Sequence, residues 1–411
     1  ITYPYRGWED IYRAKWTWDK VVRGTHMVNC WYQSSCCFDL YVKNGVVVRE
    51  EQAAVYPQIA PDSPDFNPRG CNKGACYSER MYEACRVKYP LRRIGERGEG
   101  KWKRITWDEA LTEVANTMVD VILEEGSNRV IWELGTQLSF GNQGVALPRL
   151  GVLLGTPLLD MNAEIGDDHQ GAAVTFGQIM SDGSADNFFH TDLFLMWGGN
   201  PFYTNIPNAH FFLEGRYNGA KVVTIAPDYS PSSIHSDTWI PINVGTDAAF
   251  GLSMAQVIVQ EKLHDADFLR EQTDMPLLVR NDTRQLLREN DLKADGRDDV
   301  FYCYDAKTKL VKELPKETLG LGNLEPSLEG EQTVKTLHGE VKVRPVFEVL
   351  KAKLKDYTPE KTQSITGIHP KTVRELALEI GKAKSVCNIT QSNFSKFYHG
   401  TLMERAQILV L

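Results

Sequence analysis

Four short apolar runs constrain this chain more than any other feature. RVIWELGTQ, DLFLMWGGNP, KVVTIAPDYS and SVCNITQSNF each build a strand-like apolar stretch and end in small or polar residues. Helical segments such as DAAFGLSMAQVIVQEKL and PKTVRELALEIGKA alternate with them, which is the signature of βα units on a parallel sheet. The expected class is α/β. Ligands of such sheets sit beyond the carboxyl ends of the strands, so GTQ, GGNP, APDYS and QSN form the expected binding rim. Pairing runs of like character puts SVCNITQSNF with RVIWELGTQ in one sheet and DLFLMWGGNP with KVVTIAPDYS in a second. WDEALTEVANTMVDVILEEG predicts a helix, with Asp108 near its start and Gly126 at its end. Residues 280–345, charged and carrying Gly-Leu-Gly and Asp-Gly turns, read as a surface insertion.

At 411 residues the chain exceeds a single hydrophobic core, so two or three lobes are expected. No apolar run approaches the roughly 20 residues of a membrane helix. A net charge of −8, with the basic residues dispersed among acids, offers no footing for nucleic acid or an anionic lipid surface. The chain starts at Ile1 and stops at AQILVL, a strand-like run with no cap after it. Both ends read as cuts, with a targeting peptide and a C-terminal portion expected beyond them.

Six of the eight cysteines precede residue 90: Cys30, Cys36, Cys37, Cys71, Cys76 and Cys85. That clustering reads as metal binding rather than a disulfide scaffold. The first ninety residues are loop-rich, with one clear hairpin at DLYVKNGVVVRE turning on Asn44-Gly45. His26 and Cys30 are separated by three residues, Cys36 and Cys37 follow, and Cys71 arrives inside NPRGCNKG. Three thiolates and an imidazole suit tetrahedral zinc or an iron–sulfur cluster. The late last ligand is commoner around a bulky cluster. Cys76 and Cys85 read as core residues of a helix, and Cys303 and Cys387 as buried.

These stretches also carry a resemblance. The run from His26 through YVKNG, then YPQIAPDSPDFNPRGCNKGACYSERMYEACRVKYPLRR, then GKWKRITWDEAL, resembles the N-terminal part of the catalytic subunits of the dimethyl sulfoxide reductase family of molybdenum enzymes. The similar branch contains nitrate, perchlorate and selenate reductases, dimethyl sulfide dehydrogenase and ethylbenzene dehydrogenase. The resemblance implies an iron–sulfur domain over residues 1–95 and two Rossmann-like α/β lobes, 96–160 with 380–411, and 161–379, binding molybdopterin guanine dinucleotide. It implies a [4Fe–4S] cluster on His26, Cys30, Cys36 and Cys71, with Cys37 as the competing choice for the third ligand. Lys73 resembles the basic residue between cluster and pterin.

The same resemblance implies molybdenum held by a bis-molybdopterin guanine dinucleotide and one aspartate. In MNAEIGDDHQGAAVTFG the register to TFG assigns Asp167, with Asp168 as a neighbour and His169 as a proton-relay group. The alternative for Asp167 is a cap on the helix starting near Gly171. Gly198, Gly199 and Asn200 offer close backbone approach to a pyrophosphate. Asp228 stands where a ribose or guanine edge is gripped. Thr246 and Asp247 open a helix as a third cofactor element, with a plain N-cap as the alternative for Asp247.

For substrate, Trp31 beside Cys30, Thr136-Gln137 and SNFSKFYHG tilt the reading toward ethylbenzene dehydrogenase-like hydroxylases. Lys396 and His399 are then placed near the reacting centre. The expected function is oxygen-independent hydroxylation of an apolar C–H substrate, with electrons leaving through the cluster. The alternatives are an oxyanion reductase on the same site, and a zinc-stapled structural or electron-transfer subunit. An iron–sulfur beta subunit, a haem b gamma subunit and a periplasmic location follow from the resemblance alone.

Overall fold

The computed structural model describes residues 7–25, 36–53, 71–72, 74–133, 143–159, 169–178, 183, 185–315, 320–390 and 394–411. It divides into two compact units: residues 1–224 with 229–238 and 387–396, and residues 225–228 with 239–386 and 397–411. These bounds differ from the three-part division expected from the sequence.

After a helix at Trp8–Lys15, the first unit forms an antiparallel sheet, β1 (Lys20–Thr25), β2 (Cys37–Lys43) and β3 (Val46–Gln52), in the order β1-β2-β3. The β2–β3 turn falls on Asn44-Gly45, as expected. Both residues have positive φ, 50° and 78°, which a two-residue hairpin of the right twist demands. A short helix, α1 (Tyr77–Met81), ends well before Cys85, so that cysteine is not helical. Cys76 and Cys85 are both exposed, correcting the reading of them as core residues.

Helix α2 (Trp107–Glu125) forms as its sequence predicts. Its N-terminus is a capping box: the Glu109 N–H donates to Thr106 Oγ1 and the Thr106 N–H to the Glu109 carboxylate. Gly126, at φ 99°, ends it. RVIWELGTQ departs from expectation. Among its described residues there is one parallel bridge, Trp132 with Leu158, and no strand.

After α3 (Gln170–Phe176), the strands β4 (Leu193–Trp197), β5 (Lys221–Ile225) and β6 (Thr238–Ile240) follow in chain order. Helices α4 (Pro201–Thr204) and α5 (Ala209–Tyr217) lie between β4 and β5 in the chain, and α6 (Pro231–Ile234) between β5 and β6. All five residues of β4 are buried, each apolar side chain worth about 1.5–3 kcal/mol on full burial. Phe194 and Met196 pack with Phe212 and Val222. The Phe188 ring stacks on Phe212 at 4.8 Å between centroids.

In the second unit, α7 (Asp247–Gln260) buries Phe250, Met254, Val257 and Ile258. Residues 280–345 are more than a surface insertion. With the two residues before them they form β7 (Leu278–Arg280), β8 (Tyr302–Asp305), β9 (Leu310–Glu313), β10 (Gln332–Thr336) and β11 (Gly339–Pro345), with a core of Leu278, Leu287, Val300, Tyr302, Val334 and Val343. Helices α8 (Val346–Leu354), α9 (Pro359–Thr366) and α10 (Pro370–Lys382) follow, and all three pack against α7.

The last strand, β12 (Val386–Ile389), lies beside β4, giving the order β12-β4-β5-β6. Its Cys387 and Ile389 pack on the Phe194 cluster. This corrects the expected pairing of SVCNITQSNF with RVIWELGTQ. The end of the chain is corrected too: AQILVL falls on α11 (Gly400–Ile408) and the turn after it. Met403, Ala406 and Val410 are buried at helical spacing, so the 3.6-residue period prevails over strand propensity.

Candidate functional site

The thiol region is assembled on the first sheet. Thr25, the last residue of β1, pairs with Cys37, the first of β2. Residues 26–36, which carry His26, Cys30 and Cys36, therefore join two neighbouring strand ends. Alternation along an extended chain puts Cys36 and Phe38 on one face, where they are 1% and 3% exposed. Cys37 is only half-buried. Its backbone is committed to the sheet, with its carbonyl accepting from the Ala53 N–H and Gln52 Nε2.

Cys71 is buried as well, and its carbonyl accepts the N–H groups of Gly74 and Ala75 in a turn that leads into α1. That segment is tied to the sheet. The Ser78 N–H donates to the buried Glu50 carboxylate of β3 at 2.8 Å, and the Tyr82 hydroxyl accepts from the Val47 N–H. Two buried thiols on one anchored scaffold suit a soft metal or cluster. Among the described residues no three His, Cys, Asp or Glu side chains converge as a metal site. His26, Cys30, Trp31 and Lys73 lie outside the described residues.

Asp167 and Asp168 also lie outside them. His169 is the N-cap residue of α3, in the left-handed conformation at φ 47° and ψ 36°, and is buried. Its side chain makes no capping bond. A non-glycine residue there is uncommon and costly. The cap position that was the alternative role for Asp167 is thus held by the histidine two residues on.

At the end of β4, Gly198 has φ 86° and Asn200 is the N-cap residue of α4, again with no side-chain capping bond. Asn200 Oδ1 instead accepts from Ser232 Oγ at 2.5 Å and from the Ser232 N–H at 3.3 Å. Ser232, on α6, is fully buried. The loop is held further by Arg216, which donates to the His235 carbonyl and to Asp237. Burial opposes the charge of Asp237, but the Val222 N–H and the Arg216 guanidinium hold its carboxyl below the usual value. Sequence reading missed Ser232 and Asp237. The Ser-Pro-Ser-Ser run after Asp228 was the available signal.

Asp228 follows β5 by three residues and is exposed. In the second unit, Gly245 has φ 79°, Thr246 is the N-cap residue of α7 and Asp247 its buried first residue. Thr246 Oγ1 donates to the Asn243 carbonyl at 2.7 Å rather than capping the helix. Lys396 ends a short 3-10 turn and is exposed. His399, also exposed, is the left-handed N-cap residue of α11 at φ 61°. Thr136-Gln137 is not described.

The β12-β4-β5-β6 sheet, its glycine-rich strand end and the buried thiols define a cofactor-binding α/β chain. The family model described as molybdopterin oxidoreductase matches residues 86–400, and the chain belongs to that family. It is 43% identical to the dimethylsulfide dehydrogenase subunit alpha of Rhodovulum sulfidophilum, over 100% of this chain and 45% of that protein. It is 43% identical to the chlorate reductase subunit alpha of Ideonella dechloratans, over 100% and 44%. With the perchlorate reductase subunit alpha of Dechloromonas aromatica the identity is 39%, over 99% and 47%. The chain therefore spans less than half the length of these relatives. In fold it is similar to acetylene hydratase from Pelobacter acetylenicus, with a TM-score of 0.64 and 20% identity over 94% of this chain and 43% of that one. Molybdenum with bis-molybdopterin guanine dinucleotide, and a [4Fe–4S] cluster, are the cofactors of alpha subunits in this family. No helix among the described residues is long and apolar enough to cross a membrane.

Proposed function

We propose that this chain is the cofactor-holding part of a molybdenum oxidoreductase that takes an oxygen atom from a small oxyanion such as chlorate or perchlorate. The observation that supports this is the similarity to chlorate and perchlorate reductase alpha subunits along essentially the whole chain. It reverses the weighting of the sequence reading, in which hydroxylation of an apolar C–H bond came first. A second reading, oxidation of a sulfide, draws on the equal identity to dimethylsulfide dehydrogenase.

When bound, the molybdenum centre supplies two-electron oxygen-atom transfer. In our reading Asp167 gives it a carboxylate, and His26, Cys30, Cys36 and Cys71 hold the cluster of the 1–95 domain. The burial of Cys36 and the sheet commitment of Cys37 favour Cys36 as the third ligand. Lys73 supplies positive charge between cluster and pterin. In the first unit Gly198, Gly199 and Asn200 admit and grip a pyrophosphate; in the second, Asp228 accepts from a ribose or guanine edge and Thr246 and Asp247 are candidate dinucleotide contacts. Oxyanion reduction consumes protons, which His169, His399 and Lys396 are suited to pass or to donate. Trp31, next to Cys30 in the sequence, is a further candidate residue of the site.

By the same reading the intact protein works in the periplasm with an iron–sulfur beta subunit and a haem b gamma subunit. The test is anaerobic turnover of the purified protein with reduced viologen and chlorate, perchlorate or nitrate, set against oxidation of dimethyl sulfide or ethylbenzene. Oxyanion reduction faster than either oxidation is expected. Ethylbenzene hydroxylation without oxyanion reduction would overturn this proposal in favour of C–H hydroxylation.

A further inference from the structure

Asn200 occupies an N-cap position yet does not cap. Its Oδ1 takes two hydrogen bonds from one residue, Ser232, through the hydroxyl at 2.5 Å and the backbone N–H at 3.3 Å. A backbone N–H can only donate, so the amide atom facing it is the oxygen, and the orientation of the amide is fixed. Ser232 is itself constrained. It is fully buried, its Oγ accepts the Phe202 N–H at 3.3 Å, and its carbonyl accepts Ser236 Oγ at 2.9 Å. With an N–H already directed at its hydroxyl oxygen, the serine proton is left for Asn200.

The consequence lies at the other end of the amide. Asn200 Nδ2 has no partner among the described residues, and the side chain is half-buried beside Gly198 and Gly199. We propose that Ser232 is a positioning residue: it locks the Asn200 amide so that Nδ2 offers both N–H groups to the pyrophosphate oxygens of the guanine dinucleotide. This rests on the reading of the Gly198–Asn200 loop given above. Without the Ser232 hydroxyl only the longer backbone bond at 3.3 Å holds Oδ1, and the amide turns an acceptor oxygen toward an acceptor-rich ligand more readily.

The test measures guanosine monophosphate released by acid from the intact protein after extended dialysis, with iron content and melting temperature as controls for folding. Asn200→Asp keeps an acceptor for Ser232 and replaces both Nδ2 donors by a charged oxygen. It should lower retained nucleotide by about tenfold, the scale of a lost hydrogen bond to a charged group. Ser232→Ala should lower it by roughly threefold, the scale of one neutral hydrogen bond. Because Ser232 acts through Asn200, the double variant should retain as much nucleotide as Asn200→Asp alone. Wild-type retention in Asn200→Asp, or losses that multiply in the double variant, would overturn the proposal. A wild-type protein that releases no guanosine monophosphate would overturn the parent reading, and this one with it.

Discussion

At the scale of single residues, proposed ligands stand beside neighbours that look alike in sequence. Cys36→Ser should abolish the cluster signal in electron paramagnetic resonance, because serine is a poor replacement for a soft thiolate. Cys37→Ser should leave most of it, and the reverse ranking would mean that the loop is read one residue out of register. Asp167→Ala should lose turnover while keeping its iron, and Asp168→Ala should be milder. Equal turnover in wild type and Asp167→Ala would remove the carboxylate from the metal. Cys303 needs no such role, since burial, helped by Asp305, pushes its thiol up to about 11. The candidate cluster ligands were legible because His26, Cys30 and Cys36 sit in one short stretch with a resemblance to guide them. Ser232 was not: a serine after proline looks like any turn, and its partner Asn200 is thirty-two residues away.

At the scale of elements, local signals read well and pairings did not. The helix of residues 107–125 and the Asn44-Gly45 hairpin carry their instructions within a few residues, in a capping box and a turn dipeptide. Thr106→Ala should therefore cost about 1 kcal/mol in chemical denaturation, and a cost near zero would show that the box is ornamental. Which strand lies beside which depends on contacts absent from any one segment, so β12 was assigned to the wrong neighbour. Cys387 and Ile389 face the aromatic cluster around Phe194, and that decides the matter physically. The same cluster makes Gly215 sensitive. A Cβ there would stand 2.7 Å from the Phe188 carbonyl and 2.8 Å from the Phe194 ring. Gly215→Ala is expected to destabilise by about 1–3 kcal/mol, the range for overpacking, and an unchanged denaturation midpoint would contradict the packing described.

At the scale of the whole molecule, Asp305 is one of several carboxylates held below their usual values, and it contributes to behaviour in acid. Its fully buried carboxylate accepts from Lys312 Nζ and Thr308 Oγ1, each at 2.7 Å, and from the N–H groups of Lys307 and Glu325. Led by the Lys312 and Thr308 bonds, these hold it far below the usual carboxylate value, against the effect of burial. A carboxyl depressed in the folded state stabilises above its unfolded value, about 3.9, and loses that contribution as pH falls toward the folded value. Melting temperature should thus fall steeply below about pH 4, and Asp305→Asn should be less stable at neutral pH with a flatter acid limb. A variant as stable as wild type at neutral pH would show that the cluster is not holding the second unit together. The proposed function requires one chain to hold a molybdenum dinucleotide centre and a cluster together. Its most direct test is the metal and nucleotide content of the intact protein, purified without air. The claim predicts molybdenum, two guanosine monophosphates and four irons per chain; zinc in place of iron, with no molybdenum or nucleotide, would contradict it.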